Sequence, residues 1–255
     1  MHPILLKIGN ISLYTYGLFV ALGFLTALWF ARREAKRVGE NPTHILDLGF
    51  YLLIAAIVGS RLFFLAVNPE IFSESPWAVF QIWKGGLVFY GGFIAALVTA
   101  IVYVRIIKVP FFKVADIFSP GLAAGHAVGR IGCFFAGCCY GKTCDLPWAV
   151  VFEDPLSLAP IGVHLHPTQL YSVVGNLTVF GALWFLRKRT QYTGQLFWLY
   201  VLFYGLVRSF LELFRGDPRG FVSGGVSVSQ GIGLVLAAFA ALMLARRWKQ
   251  GGKAE

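Results

Sequence analysis

Apolar stretches long enough to cross a lipid bilayer account for most of this chain. A transmembrane helix needs about 20 apolar residues to cross about 30 Å of hydrocarbon. With 57% hydrophobic and only 13% charged residues among 255, the composition is that of a membrane protein rather than a soluble domain. The sequence therefore predicts an all-α integral membrane protein, with residues 1–255 forming a single polytopic domain. Seven transmembrane helices are predicted, near residues 12–31, 45–67, 86–104, 114–137, 166–186, 194–214 and 225–245.

Basic residues cluster beside alternate stretches and orient the chain. Fourteen of the 22 Lys and Arg fall on one side of the predicted membrane. The positive-inside rule makes that side cytoplasmic, so the amino terminus is predicted outside and the carboxyl terminus inside. The same clusters explain the net charge of +10 as topology signals and contacts to anionic lipid, and nucleic acid is not expected as a partner. The clusters are Arg32, Arg33, Lys36 and Arg37; Arg105, Lys108 and Lys113; Arg187, Lys188 and Arg189; and Arg246, Arg247, Lys249 and Lys253.

Two longer connections fall on the predicted outer side, near residues 68–85 and 138–165. The second contains a β-prone run at 147–152, followed by a turn at Asp154-Pro155. These connections are predicted to form a small outer (periplasmic) lid. The sequence lacks the internal repeats that secondary transporters usually show, which disfavours transport.

The fourth stretch carries an ionisable pair, His126 and Arg130, one helical turn apart. A guanidinium at bilayer depth costs at least about 2.5 kcal/mol, so Arg130 is a functional-site candidate. For His126 alone, a hydrogen bond that only satisfies a packed helix is the simpler interpretation. Glycines recur on one face of this helix, a pattern that lets helices approach closely. They are Gly121, Gly125, Gly129 and Gly132.

The sixth stretch carries a polar stripe, Tyr204, Arg208, Glu212 and Arg215, at spacings of four, four and three. Arg208 and Glu212 could neutralise each other as a structural pair. Two guanidiniums against one carboxylate leave positive charge over, and the planar fork of arginine suits phosphate. The stripe therefore indicates an anion site.

The four cysteines all fall between residues 133 and 144. The spacing C-x4-C-C-x4-C matches no standard zinc pattern, so no metal site is predicted. A disulfide, a redox dithiol at Cys138-Cys139, and a merely space-filling Cys133 all stay open.

Several motifs occur along the chain in an order that resembles one family. They are Tyr16-Gly17, Gly85-Gly86 through Gly91-Gly92, Gly129-Arg130-Ile131-Gly132, the Gly137–Gly141 turn, residues 147–152, His166-Pro167-Thr168-Gln169-Leu170-Tyr171, Tyr204-Gly205-Leu206-Val207-Arg208 and Glu212-Leu213-Phe214-Arg215. Over nearly its whole length the sequence is similar to the prolipoprotein diacylglyceryl transferases of bacterial inner membranes.

This resemblance implies a phosphatidylglycerol-dependent transferase in the first step of lipoprotein maturation. It would move the diacylglyceryl group onto the lipobox cysteine of a prolipoprotein carrying its signal peptide, forming a thioether and releasing glycerol 1-phosphate. The enzyme would be a multi-pass protein of the inner membrane, in contact with membrane lipid and without a cofactor. The implied catalytic residues are Arg130, Arg208 and the position of Tyr90, and we add His126 from its place one turn from Arg130. The implied substrate-binding residues are Arg130, Tyr16, Gly91, Gly92, Gly141, His166, Gln169, Tyr204, Glu212 and Arg215.

The chain departs from the family pattern at three positions. Tyr90, Cys133 and Cys138 stand where the family usually has His, Asn and Glu. We predict that His126 replaces the missing histidine as proton acceptor, because an imidazole titrates near neutral pH and a phenol near 10. Alternatively, Arg130 and Arg208 activate the incoming thiol by charge alone. An inactive paralogue that binds lipid or lipoprotein, and a thiol-redox protein using Cys138-Cys139, are the other interpretations.

Overall fold

The structure is a computed structural model, and it describes residues 2–9, 11–74, 77, 80, 85–217 and 227–251. Within these residues, six helices are long and apolar enough to cross a membrane. The chain is therefore a mostly helical, multi-pass membrane protein. The helices are α1 (Thr15–Arg37), α2 (Pro42–Val67), α3 (Pro69–Glu74), α4 (Phe89–Ile106), α5 (Phe111–Ala136), α6 (Thr168–Leu186), α7 (Gln195–Leu211, continued by a 3-10 turn at Glu212–Phe214) and α8 (Val228–Gly251).

Helix α5 coincides with the fourth predicted span but differs from the six apolar helices. It is continuous over 26 residues despite an internal proline, Pro120, and would be about 39 Å long at 1.5 Å per residue. Its composition explains the difference, because it carries Lys113, Asp116, His126 and Arg130. Length and composition thus support six of the seven predicted spans.

The chain folds as two compact units. One comprises Met1–Ala31 with Ala115–Glu255, and the other comprises Arg32–Val114. The predicted site residues are divided between these units. Tyr90, Gly91 and Gly92 belong to the second, and the remaining predicted residues belong to the first.

In the second unit, α2 and α4 pack backbone against backbone. A Cβ on Gly91 would lie 2.2 Å from the Cβ of Phe63 and 2.5 Å from the carbonyl oxygen of Gly59. A Cβ on Gly92 would lie 2.3 Å from the Oγ of Ser60. These distances are too short for any side chain, so glycine at 91 and 92 is required by the helix contact.

In the first unit, α1 and α5 also cross at small residues. A Cβ on Gly125 would lie 2.4 Å from the carbonyl oxygen of Gly23, and one on Gly121 would lie 2.4 Å from that of Ala27. The predicted small-residue face is confirmed at these positions. Gly129 differs, because no atom of the described residues lies within 4 Å of its Cβ position.

Helix α7 is fixed at its start and along its length. The carboxylate of Asp116 accepts hydrogen bonds from the backbone N–H groups of Gly194 at 2.6 Å and Phe197 at 2.7 Å. A carboxylate there satisfies unpaired donors and complements the positive end of the helix dipole. Gly205 lies against α8, since a Cβ there would be 2.7 Å from the carbonyl oxygen of Gly233. These contacts fix the rotation of α7 about its own axis, and with it the direction that its polar stripe faces.

Two small antiparallel sheets accompany the helices. Strands β1 (Ile4–Ile8) and β2 (Ile11–Tyr14) form a hairpin immediately before α1, and the purely helical prediction missed it. Strands β3 (Val150–Val151) and β4 (His164–Leu165) pair in the connection between α5 and α6. The predicted strand at 147–152 is confirmed by β3. The predicted turn is confirmed as well, because the Asp154 carboxylate accepts a hydrogen bond from Leu156 N at 2.9 Å.

Candidate active site

Arg130 lies in the last two turns of α5, half-buried among polar groups. Its Nε donates a hydrogen bond to His126 Nε2 at 3.1 Å. Its Nη1 lies 3.6 Å from the sulfur of Cys139 and 3.9 Å from that of Cys133. No carboxylate of the described residues forms an ion pair with it. A half-buried guanidinium that pairs with no carboxylate of the described residues is a candidate site for an anion.

His126 acts on Arg130 as a hydrogen-bond acceptor. Since its Nε2 accepts from Arg130, the lone pair of that nitrogen is occupied and the imidazole is neutral. The ring packs against Tyr204, with the centroids 5.3 Å apart. The structure therefore brings three predicted residues together, with His126 between Tyr204 and Arg130.

Arg208 and Glu212 form the buried ion pair that their spacing on α7 predicts. Their side chains are 14% and 6% exposed. The other carboxylate oxygen of Glu212 accepts hydrogen bonds from Ser227 at 2.7 Å and Ser229 at 3.0 Å. Because both oxygens are engaged, Glu212 is fixed as the partner of Arg208.

Arg215 does not share the carboxylate of Glu212 and pairs with a different one. Its Nε and Nη2 donate to the two oxygens of Asp217, each at 2.9 Å. The chain leaves the α-helix at Glu212, so spacing of three no longer places Arg215 over that residue. Among these three arginines, Arg130 is thus the one that pairs with no carboxylate of the described residues.

A tight turn carries Cys138 and Cys139 past the end of α5. The backbone of Cys139 has φ +62°, which is uncommon for a residue with a side chain. The first turn of α6 holds this conformation in place. Gln169 Nε2 donates to the carbonyl of Cys138 at 2.8 Å, and Thr168 Oγ1 donates to that of Cys139 at 2.7 Å. Strained backbone held by buried side chains is typical of functional sites.

The turn gathers three thiols. The sulfur atoms of Cys133, Cys138 and Cys139 all lie within 4.8 Å of one another, and Cys144 is not part of this group. The four cysteines, all among the described residues, form no disulfide. Hydrogen bonds from the Cys133 and Cys138 thiols, together with the charge of Arg215, lower the pKa of the Cys139 thiol. The cluster is an electron-rich group beside Arg130.

The other predicted residues of this unit border the site. Tyr16 lies where α1 crosses α5, with its carbonyl oxygen 3.2 Å from the Cβ position of Gly132. Gly141 N donates to the carbonyl of His166 at 3.1 Å, and His166 Nδ1 lies 3.2 Å from the Tyr171 hydroxyl. Position 141 has no room for a side chain, because a Cβ there would lie 2.5 Å from His166. These residues shape the connection that carries the thiols.

Tyr90 lies in the first turn of α4, in the second unit, with 60% of its surface exposed. Sequence reasoning missed Arg61 in this unit. Arg61 is 5% exposed, and its Nη1 donates to the carbonyls of Gly85 at 2.6 Å and Gly86 at 3.2 Å. The sequence did contain a signal for Arg61, because it is an arginine inside an apolar stretch, the same feature that made Arg130 a candidate. Arg61 fixes the chain that leads into Tyr90.

Fold and site together define a multi-pass membrane protein with a half-buried arginine beside a thiol cluster. A profile of the prolipoprotein diacylglyceryl transferase family matches residues 3–246. The chain belongs to this family.

Relatives named phosphatidylglycerol–prolipoprotein diacylglyceryl transferase align along nearly their whole length. The protein of Clostridium tetani is 37% identical over 92% of this chain and 93% of its own. That of Thermosynechococcus vestitus is 33% identical over 96% and 92%, and that of Geobacter sulfurreducens 33% over 90% and 89%.

Proposed function

We propose that this protein transfers the diacylglyceryl group of phosphatidylglycerol to the lipobox cysteine thiol of prolipoproteins. The products are a thioether and glycerol 1-phosphate. Arg130 is the observation that carries this proposal. It is a half-buried cation on a helix of the membrane protein, and no carboxylate of the described residues pairs with it. Phosphate is the anion that the substrate brings.

Arg130 and Arg208 are the proposed catalytic cations. As the carbon–oxygen bond to phosphate breaks, negative charge grows on the leaving oxygen, and fixed cations in a water-poor site stabilise it strongly. Tyr204, whose ring packs against His126, and Arg215 are proposed to position the same phosphate. Glu212 serves by holding Arg208.

The acceptor thiol can be activated in two ways: His126 removes its proton as a base, or Arg130 and Arg208 favour the thiolate by charge alone, without a protein base. His126 can take a proton on Nε2 only after its bond to Arg130 breaks. The geometry therefore favours His126 as a positioning residue for Arg130. The thiol would then be activated by positive charge, as the second prediction from the sequence states.

The remaining predicted residues are proposed to bind the lipid and the signal peptide. Tyr16, Gly141, His166 and Gln169 border the arginine and the thiols in one unit. Tyr90, Gly91 and Gly92 would contribute from the start of α4, where Arg61 organises the chain.

The proposed setting is the bacterial inner membrane, crossed seven times with α5 as the additional span. The amino terminus and the 138–165 connection would face outward, where prolipoproteins emerge. The carboxyl-terminal basic cluster would face the cytoplasm. This places Arg130 toward the outer leaflet.

The test is an assay of purified protein with phosphatidylglycerol vesicles and a lipobox peptide, in which mass spectrometry measures the thioether. We expect product from the wild type and a loss of at least about 100-fold in Arg130→Ala. Arg105→Ala, at the end of α4, is the matched control and should keep full activity. A wild type that binds lipid and peptide without product supports the paralogue. An Arg130→Ala variant with wild-type turnover contradicts the proposed function.

A further inference from the structure

The sulfur–sulfur distances in the thiol cluster are close to those of a metal site. Zinc–sulfur bonds of about 2.3 Å place the sulfurs of one ion about 3.8 to 4.0 Å apart. The sulfurs of Cys133, Cys138 and Cys139 lie within 4.8 Å of one another. Small side-chain rotations therefore suffice to bring all three onto one ion.

Charge around the cluster suits an ion bound by thiolates. Three thiolates and Zn²⁺ carry a net charge of −1, which needs compensation in a site of this burial. Arg130 Nη1 lies 3.6 Å from the sulfur of Cys139 and 3.9 Å from that of Cys133. Donors to ligand sulfurs orient the ligands and stabilise the complex.

The backbone also holds the ligands in place before an ion binds. Cys133 lies in the last turn of α5, and Cys138 and Cys139 follow in a turn that Thr168 and Gln169 tie to α6. Both tying side chains are buried, at 1% exposure. A site built on two helices and a braced turn is preorganised.

Three ligands leave one coordination position open. Within the described residues, no further His, Cys, Asp or Glu joins this group. Structural zinc sites have four protein ligands, whereas catalytic sites have three and keep the fourth for water or substrate. The substrate of the proposed reaction carries a thiol, a ligand that zinc prefers to water.

We propose that Cys133, Cys138 and Cys139 bind one Zn²⁺ ion and that the acceptor cysteine of the prolipoprotein occupies its fourth position. The inference rests on the proposed function for the identity of that fourth ligand. Coordination releases the thiol proton to water, so no protein base is required. The ion would thereby activate the acceptor thiol in place of a protein base.

The step balances without any change of oxidation state. The zinc-bound sulfur attacks the glyceryl carbon that bears the phosphate ester, and a carbon–sulfur bond forms. The carbon–oxygen bond to phosphate breaks, and its electron pair leaves with glycerol 1-phosphate beside Arg130. The product thioether is neutral and a weaker ligand than a thiolate, so it leaves the ion.

Metal binding is tested directly on the full-length protein in detergent. Reduced protein is incubated with Zn²⁺, desalted, and analysed by elemental mass spectrometry. We expect about one zinc per chain in the wild type and in Cys144→Ser, and at least tenfold weaker retention in Cys138→Ser and Cys139→Ser. Retention unchanged in both of those variants, or no zinc in the wild type, overturns the site.

A second measurement needs no variant that could misfold. In wild-type protein, Zn²⁺ should slow maleimide labelling of Cys133, Cys138 and Cys139 at least tenfold and leave Cys144 unaffected, as peptide mass spectrometry resolves. Equal protection of all four thiols, or a stable disulfide within the cluster that prevents zinc uptake, contradicts the proposal.

The fourth ligand is tested with Co²⁺, whose absorption bands report its ligands. A lipobox peptide should intensify the sulfur-to-cobalt band, and a Cys→Ser peptide should not. Equal spectra with both peptides overturn the substrate role. Zinc-loaded protein that binds the thiol peptide but forms no thioether would contradict the proposed function and leave the metal site standing. Full turnover by verified metal-free protein would overturn the role of zinc alone.

Discussion

Arg130 and His126 lie one turn apart on α5, and the direction of the hydrogen bond between them decides what each can do. The arginine donates through Nε to the imidazole Nε2 at 3.1 Å. A protonated imidazole has no acceptor there and would repel the guanidinium. The bond thus requires neutral His126 and leaves the outer edge of the guanidinium for other partners.

Replacing His126 tests this role. In His126→Gln the amide oxygen can accept from Arg130 but the side chain is no base, so we expect transfer within about threefold of the wild type. His126→Leu removes the acceptor, and a buried donor left unsatisfied costs about 1–3 kcal/mol, or at least about fivefold in rate. Thioether formation, measured for both variants, decides whether His126 positions Arg130 or acts as the base. Loss of transfer in His126→Gln equal to that in His126→Leu would restore His126 as the proton acceptor.

Single residues were predictable from the sequence where helical spacing holds. The Arg208–Glu212 pair follows from spacing of four on one helix. The Arg215–Asp217 pair does not, because it forms after α7 has ended. The three-thiol cluster was also hidden, since it depends on a left-handed Cys139 that no residue preference indicates. Contacts that depend on the backbone conformation of a turn could not be predicted from residue spacing and are seen only in the structure.

Helices α1 and α5 meet along glycine and alanine, and this element contact places Arg130. A side chain at Gly125 would lie 2.4 Å from the Gly23 carbonyl oxygen. Without a hydrophobic driving force between helices in lipid, close packing supplies most of the association energy. Positions on this crossing are therefore sensitive to a single methyl group.

We expect Gly125→Ala to lower the free energy of unfolding by about 1–3 kcal/mol, because the helices must separate to admit the Cβ. Gly181→Ala is the matched control, since no described atom lies within 4 Å of its Cβ position on α6. The control should be neutral or slightly stabilising, as alanine favours the helix. Thermal unfolding in detergent measures both. Equal melting temperatures would contradict the crossing.

The ion pair of α7 makes a second prediction about an element. Glu212→Gln leaves the buried Arg208 without that counter-charge, and removing one partner of a buried pair costs about 3–5 kcal/mol. Lys113→Met breaks the more exposed pair with Glu40 and should cost less than about 1 kcal/mol. Unfolding curves compare the two. A Glu212→Gln protein as stable as Lys113→Met would show that the pair contributes no stability.

Elements were predicted well where apolar length decides, and less well where polar residues interrupt it. The six apolar helices follow the predicted stretches, with ends that differ by at most six residues. The hairpin β1–β2 was missed because its apolar strands run directly into the first stretch. Its short Gly9-Asn10 connection was the available signal.

At the scale of the whole molecule, orientation in the membrane is the property still to be measured. The basic clusters predict an outer amino terminus and a cytoplasmic carboxyl terminus. A green fluorescent protein fused after residue 255 should therefore fluoresce in intact cells, and alkaline phosphatase fused there should be inactive. An impermeant maleimide should label Cys144 from the outside. The opposite pattern in both assays would invert the proposed topology.

The open face of α5 at Gly129 has a consequence for how the protein must be assayed. Apart from its own stretch of helix, no described atom lies within 4 Å of the Cβ position there, one residue from Arg130. A lipid could slide in sideways, with its acyl chains still among their neighbours, and present only its phosphate. Encounter would then occur by diffusion in two dimensions. The rate should follow the mole fraction of phosphatidylglycerol in the bilayer, and adding more vesicles of the same composition should leave it unchanged.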